Sequence, residues 1–167
     1  MIVRIREIVP HLALAACLAL AFAAAAVRAD APKRPASEGG VVRIPSAYGF
    51  AETVERLKDD VAAKGIRFFM AVDQAALAGD AGISARPSTL LEFGNPALGA
   101  RFILARPQAG LDWPVRLLVY QDEAGRVWTA YSDFGYIARR HRIEASDPAF
   151  RTATSVIASI TASVAAR

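Results

Sequence analysis

The sequence predicts an α+β domain, a largely antiparallel sheet with helices packed on one face, in the order β-α-β-β-β-β-α. Three observations carry this. Five short runs are rich in β-branched, aromatic and other bulky apolar residues and end at Gly, Pro or Asp. Only two long stretches repeat apolar residues at helical spacing. Two of the strand runs, Val115–Gln121 and Val127–Ser132, are separated by Asp122-Glu123-Ala124-Gly125-Arg126, which suits a hairpin with Gly125 at positive φ. Strands mixed with two substantial helices form a sheet with a helical cover.

The elements follow in order. Residues 1–29 fit a secretory signal peptide. Arg4 and Arg6 begin it, an Ala- and Leu-rich stretch runs from Leu12 to Val27, and Val27-Arg28-Ala29 offers small residues for cleavage. The apolar stretch is short for a membrane span, which needs about 20 residues. Leu14-Ala15-Ala16-Cys17 resembles a lipobox, so a lipid anchor on Cys17 is the alternative to cleavage after Ala29. Ten further residues, through Val27, stay apolar after Cys17 and favour plain cleavage, hence a periplasmic or secreted protein. Residues 30–40, DAPKRPASEGG, read as a flexible linker. Residues 41–167 form one domain.

Val41-Val42-Arg43-Ile44 is a strand stopped by Pro45. The helix to Lys64 places Phe50, Val54, Leu57 and Val61 on one face, and Gly65 stops it. Ile66–Val72 carries bulky side chains on both parities, which predicts a central strand buried on both faces. Asp73 is placed to cap a short helix from Gln74. Ser88–Phe93 is the next strand, and Gly94-Asn95-Pro96 breaks it. Ala97–Ala105 suits a helix or a strand, and with Asn95 as cap and Pro96 at the first helical position a helical turn is favoured. Leu111-Asp112-Trp113-Pro114 launches the hairpin, with Trp113 held extended by Pro114. Phe134–Arg142 is a short helix with a basic end. In the last helix Asp147 caps, Pro148 follows, and Phe150, Ala153, Ile157, Ile160 and Val164 repeat on one face, with Thr and Ser outside or at the margin.

Charge and chemistry exclude several classes. The whole chain is +4, but removing residues 1–29 leaves 17 basic and 15 acidic residues, a net charge of +2. No basic stripe survives, so nucleic acid is not an expected partner. Cys17 is the only cysteine, so the mature domain has neither disulfide nor thiol chemistry. One histidine, His141, remains. It lies within Arg139-Arg140-His141-Arg142, which reads as a solvated helix end rather than a catalytic base. No metal set, cofactor motif or catalytic constellation is evident. Trp113, Tyr120, Trp128, Tyr131 and Tyr136 serve either as packing or as the lining of a pocket or dimer surface, with Tyr120 beside Trp128 or Tyr131 across strands.

Asp73 with Ala75-Ala76 after an apolar strand, Arg86-Pro87-Ser88-Thr89, Phe93-Gly94-Asn95-Pro96, Gly110-Leu111-Asp112-Trp113-Pro114, Asp122-Glu123-Ala124-Gly125 and Tyr131 together resemble the domain of unknown function 302 family, over about Tyr48 to Ile143. The resemblance implies a TATA-binding-protein-like α+β arrangement and a small domain able to pair as a homodimer. It implies no activity. Many members carry His after the strand-end Asp, where this chain has Gln74.

Three functional readings follow. The first is an exported, non-catalytic binding or interaction module, as a homodimer. The second is a small-molecule or lipid-binding domain with its pocket between sheet and helices. The ligand-binding candidates are Asp73, Phe93, Asn95, Trp113, Arg116 and Tyr131. The third is a hydrolase or transferase using Asp73, Glu92 or Asp133 as acid or base.

Overall fold

The computed structural model describes residues 37–144 and 147–166. The predicted signal peptide, Cys17 and residues 30–36 of the predicted linker lie outside the described residues. In chain order the elements are β1 (Ser37–Glu38), β2 (Val41–Pro45), α1 (Phe50–Ala63), β3 (Arg67–Asp73), α2 (Gln74–Asp80), β4 (Ser88–Gly94) and α3 (Pro96–Ala105). A 3-10 segment (Pro107–Asp112), β5 (Val115–Gln121), β6 (Val127–Ser132), α4 (Phe134–His141) and α5 (Pro148–Ala162) complete them.

The strands form one sheet in the order β1-β2-β6-β5-β4-β3, with every neighbouring pair antiparallel. The predicted α+β architecture is what the chain adopts. Side chains alternate across a strand, so register decides which face each residue meets. Leu91 pairs with Leu117, Leu117 with Tyr131, and Tyr131 with Val42. These four form a buried row beneath the helices. The opposite parity, Leu90, Leu118, Ala130 and Arg43, faces away from them. There Tyr120 and Trp128 are direct cross-strand partners, and the Arg43 guanidinium lies over both rings, 5.6 and 4.6 Å from their centroids.

α1 buries Leu57 and Val61 completely, as its periodicity requires. Phe50 and Val54 sit at the margin, and Thr53 is fully buried beside them. Its hydroxyl donates to Gly49 O (2.8 Å) and lies 2.7 Å from Ser46 Oγ, which removes the cost of burying it. α5 buries four residues of its predicted stripe, and the fifth, Val164, is buried just past the helix end. Thr161, expected outside or at the margin, is also fully buried, and its hydroxyl donates back to Ile157 O at 2.9 Å.

Three expectations are corrected. β3 is an edge strand with largely exposed residues, not a central one. A register shift between Phe68 and Met70 explains the pattern, because a bulge changes which parity faces inward. Bulky residues on both parities therefore reflect a bulged edge rather than two covered faces. Order also begins before residue 41: Ser37 and Glu38 pair back onto Val42 and Val41 through Gly39 and Gly40, both at positive φ. Finally, His141 is not a solvated helix end; its side chain is 5% exposed.

Candidate functional site

The Gly94-Asn95-Pro96 break builds the site. Asn95 is extended, and its Oδ1 accepts from the backbone N–H of Ala97 (2.9 Å) and Leu98 (3.2 Å). Pro96 takes the position where a missing N–H costs nothing. α3 and the 3-10 segment then bring the chain back so that Trp113 lies over Gly94 and Gly99. A methyl carbon at Gly94 would stand 3.1 Å from the indole Nε1, and one at Gly99 would overlap the ring. Phe69 meets the same indole edge-on, with centroids 5.8 Å apart. The Trp113–Pro114 peptide is cis.

Beneath this lid is a cavity of about 170 Å³ between sheet and helices. Phe93 and Val115 form its sheet wall, and Leu98, Gly99 and Phe102 come from α3. Phe134 and the α5 residues Ala153, Val156 and Ile157 close the far side. Phe102, Phe134 and Phe150 back it as a three-ring cluster, with Phe102 and Phe150 centroids 4.5 Å apart. Lys64, Asn95 and Thr152 mark where the lining reaches solvent. Lys64 Nζ donates to both oxygens of Asp60 at 2.6 Å.

Phe93, Asn95 and Trp113 are thus brought together as sequence reasoning expected. Arg116 and Tyr131 are not part of this cavity. Arg116 pairs with Glu92 on the opposite face, and Tyr131 sits in the next buried row. Both border a recess of about 10 Å³ beside Asp112, and both also line a shallow, open groove of about 320 Å³ with Val41, Leu90, Leu118 and Ala130. Asp73 is spent on capping α2, accepting from Ala76 N at 2.9 Å. Gln74 Oε1 accepts from Ser88 Oγ at 2.8 Å, tying the start of α2 to β4. The other carboxylates weighed as acid or base, Glu92 and Asp133, do not line the cavity, and Asp133 caps α4 through Tyr136 N at 2.8 Å.

The pair that sequence reasoning missed is Asp112 with His141. Asp112 Oδ2 accepts from His141 Nε2 at 2.5 Å, and the two side chains are 4% and 5% exposed. Arg140 (3.2 Å) and Arg116 (3.5 Å) reach Asp112 Oδ1. Four cationic-type groups in one stretch of sequence hid the fact that one of them turns inward. The pair bolts α4 to the 3-10 segment that delivers Trp113. At the hairpin, Asp122 is held down to a pKa of about 2. The chief cause is the Trp128 indole N–H (2.8 Å), with the Arg126 backbone and guanidinium adding to it.

Comparison with known proteins agrees with this fold. The crystal structure of the uncharacterized conserved protein DUF302 from Bacillus stearothermophilus superposes with a TM-score of 0.69 at 19% identity, covering 76% of this chain and 99% of that one. At that identity the likeness concerns the fold alone. Two curated relatives are 35% identical over 106 residues, which is 64% of this chain. They are fluoride-specific ion channel FluC 1 of Brucella suis biovar 1 (strain 1330) and fluoride-specific ion channel FluC 1 of Brucella abortus biovar 1 (strain 9-941). The matched region is 42% of the first and 39% of the second, so the chain spans about two fifths of the length of these relatives. The profile of the domain of unknown function DUF302 matches residues 42–164, most of the chain and nearly the whole described fold, and the chain belongs to that family.

Proposed function

We propose that this chain is an exported binding domain that holds a small apolar molecule between its sheet and its helices. The supporting observation is the cavity of about 170 Å³ walled by Phe93, Phe102, Trp113, Val115, Phe134 and Ile157. Close packing leaves few voids of that size in a domain core, and an apolar cavity of roughly 150 Å³ suffices for one benzene-sized molecule. Among the described residues no helix is long and apolar enough to cross a membrane.

Titration of the purified domain with toluene, followed by proton NMR of the cavity methyls and by calorimetry, tests this. Saturable binding that disappears in Val156→Phe, where a ring occupies the space, is the expected result. No saturable binding to a folded domain would overturn it.

Interaction with a second copy is the accompanying reading. It is favoured by the uncovered sheet face, where Val41 is 42% exposed beside Leu90, Leu118 and Ala130 around a shallow groove. A homodimer through this face gives a concentration-dependent mass in sedimentation equilibrium, abolished by Leu118→Glu. A constant monomer mass would remove this part.

A further inference from the structure

We infer, resting on the binding reading above, that the cavity selects a ring-sized, uncharged molecule bearing a carbonyl oxygen. The apolar body fills the cavity, and the oxygen accepts from Trp113 and Asn95.

Size comes first. A volume of about 170 Å³ takes one ring or a short branched chain, not a lipid tail. The polar lining then sets the chemistry. Trp113 Nε1 can only donate. It has no hydrogen-bond acceptor among the described residues, in contrast to the Trp128 indole on Asp122. Asn95 uses its Oδ1 to cap α3, which leaves its Nδ2 hydrogens as the unspent function. Gly94, between Phe93 and Asn95, lets the indole nitrogen come close to this stretch of backbone. The lining includes no carboxylate. The Thr152 hydroxyl hydrogen is already given to Pro148 O at 2.9 Å, so the two neutral donors left in the lining, Trp113 and Asn95, favour an acceptor on the ligand.

Charge separates a carbonyl from a carboxylate. Lys64 is the one cation in the lining, and both Asp60 oxygens hold it at 2.6 Å. Its charge is balanced before a ligand arrives. An anion entering the cavity would lose its hydration with no unspent positive charge to replace it, whereas a ketone, ester or amide oxygen needs only the two donors.

The test compares ethylbenzene, acetophenone and benzoate, nearly equal in size, on the wild type and on Asn95→Asp. Asp caps a helix as well as Asn, so this variant keeps α3 while exchanging the amide donor for an acceptor. The chain has two tryptophans, so a ¹⁵N spectrum holds two indole N–H signals, and only that of Trp113 is expected to move. Acetophenone should shift it downfield, and Asn95→Asp should weaken acetophenone about fivefold to tenfold more than it weakens ethylbenzene. Ethylbenzene binding together with acetophenone that is insensitive to Asn95→Asp and leaves the indole signal in place would overturn the inference. So would a preference for benzoate over acetophenone. Either of these results leaves the binding reading standing. Failure of all three compounds to bind would remove both.

Discussion

The indole of Trp113 rests on the bare backbone of Gly99. A methyl carbon built there would lie 2.7 Å from the indole Cδ1 and nearer still to Nε1. Gly99 is buried inside α3, where alanine would ordinarily be favoured by about 1 kcal/mol. Overpacking typically costs about 1–3 kcal/mol and here outweighs that gain. Gly99→Ala is expected to lower stability by up to about 2 kcal/mol and to abolish toluene binding, because the lid must move. Urea denaturation with a parallel binding titration checks both effects.

Asp112 and His141 act as a unit across chain positions 29 residues apart. Asp112→Ala leaves a buried imidazole without its partner and is expected to destabilise by about 3 kcal/mol. Arg116 and Arg140 stay about half exposed and can turn to water, which keeps the loss from being larger. In a double-mutant cycle with His141→Ala, a coupling energy above about 1 kcal/mol is the expected outcome. Additive single losses would show that the pair is not coupled.

Asp122 supplies an acid-side dependence. Its folded pKa of about 2 lies below the ordinary 3.8. Its ionised form therefore contributes stability that is full above about pH 4 and lost as pH falls toward about 2. Trp128→Phe removes the largest cause of the depression, so the Asp122 pKa should rise toward 3.8 and the slope of stability against pH in that window should flatten. A ¹³C carboxyl titration of Asp122, alongside urea midpoints from about pH 5 to 2, reads both quantities.

Asp73→Ala separates a cap from a ligand contact. Losing the bond from Ala76 N should cost about 1 kcal/mol and leave cavity binding unchanged. A changed ligand affinity would mean that Asp73 reaches the site.

Most of the fold was legible because local chemistry and tertiary packing agree. Asn95-Pro96 and Asp147-Pro148 announce two helix starts, and both helices begin there. Gly125 announces the hairpin turn and has φ +77°. Within the candidate site, the Phe93-Gly94-Asn95-Pro96 joint rests on this local punctuation and was legible too; the arrival of Trp113 over it was not. Arg116 and Tyr131 lie outside the cavity for a reason of register. They belong to adjacent strands, but pairing sends Arg116 to the open face and Tyr131 into the row next to the cavity.

By itself the sequence determined the class of the main strands and helices, the caps and turns that bound them, and the family of the domain. These depend on periods of two and 3.6 residues and on φ preferences, which act within a few residues of chain. Only tertiary structure decided that β3 is an edge strand, that His141 turns inward to Asp112, and that Trp113 closes a void over Gly99. Each of these depends on groups far apart in sequence meeting at contact distance, and no local propensity encodes which partner arrives.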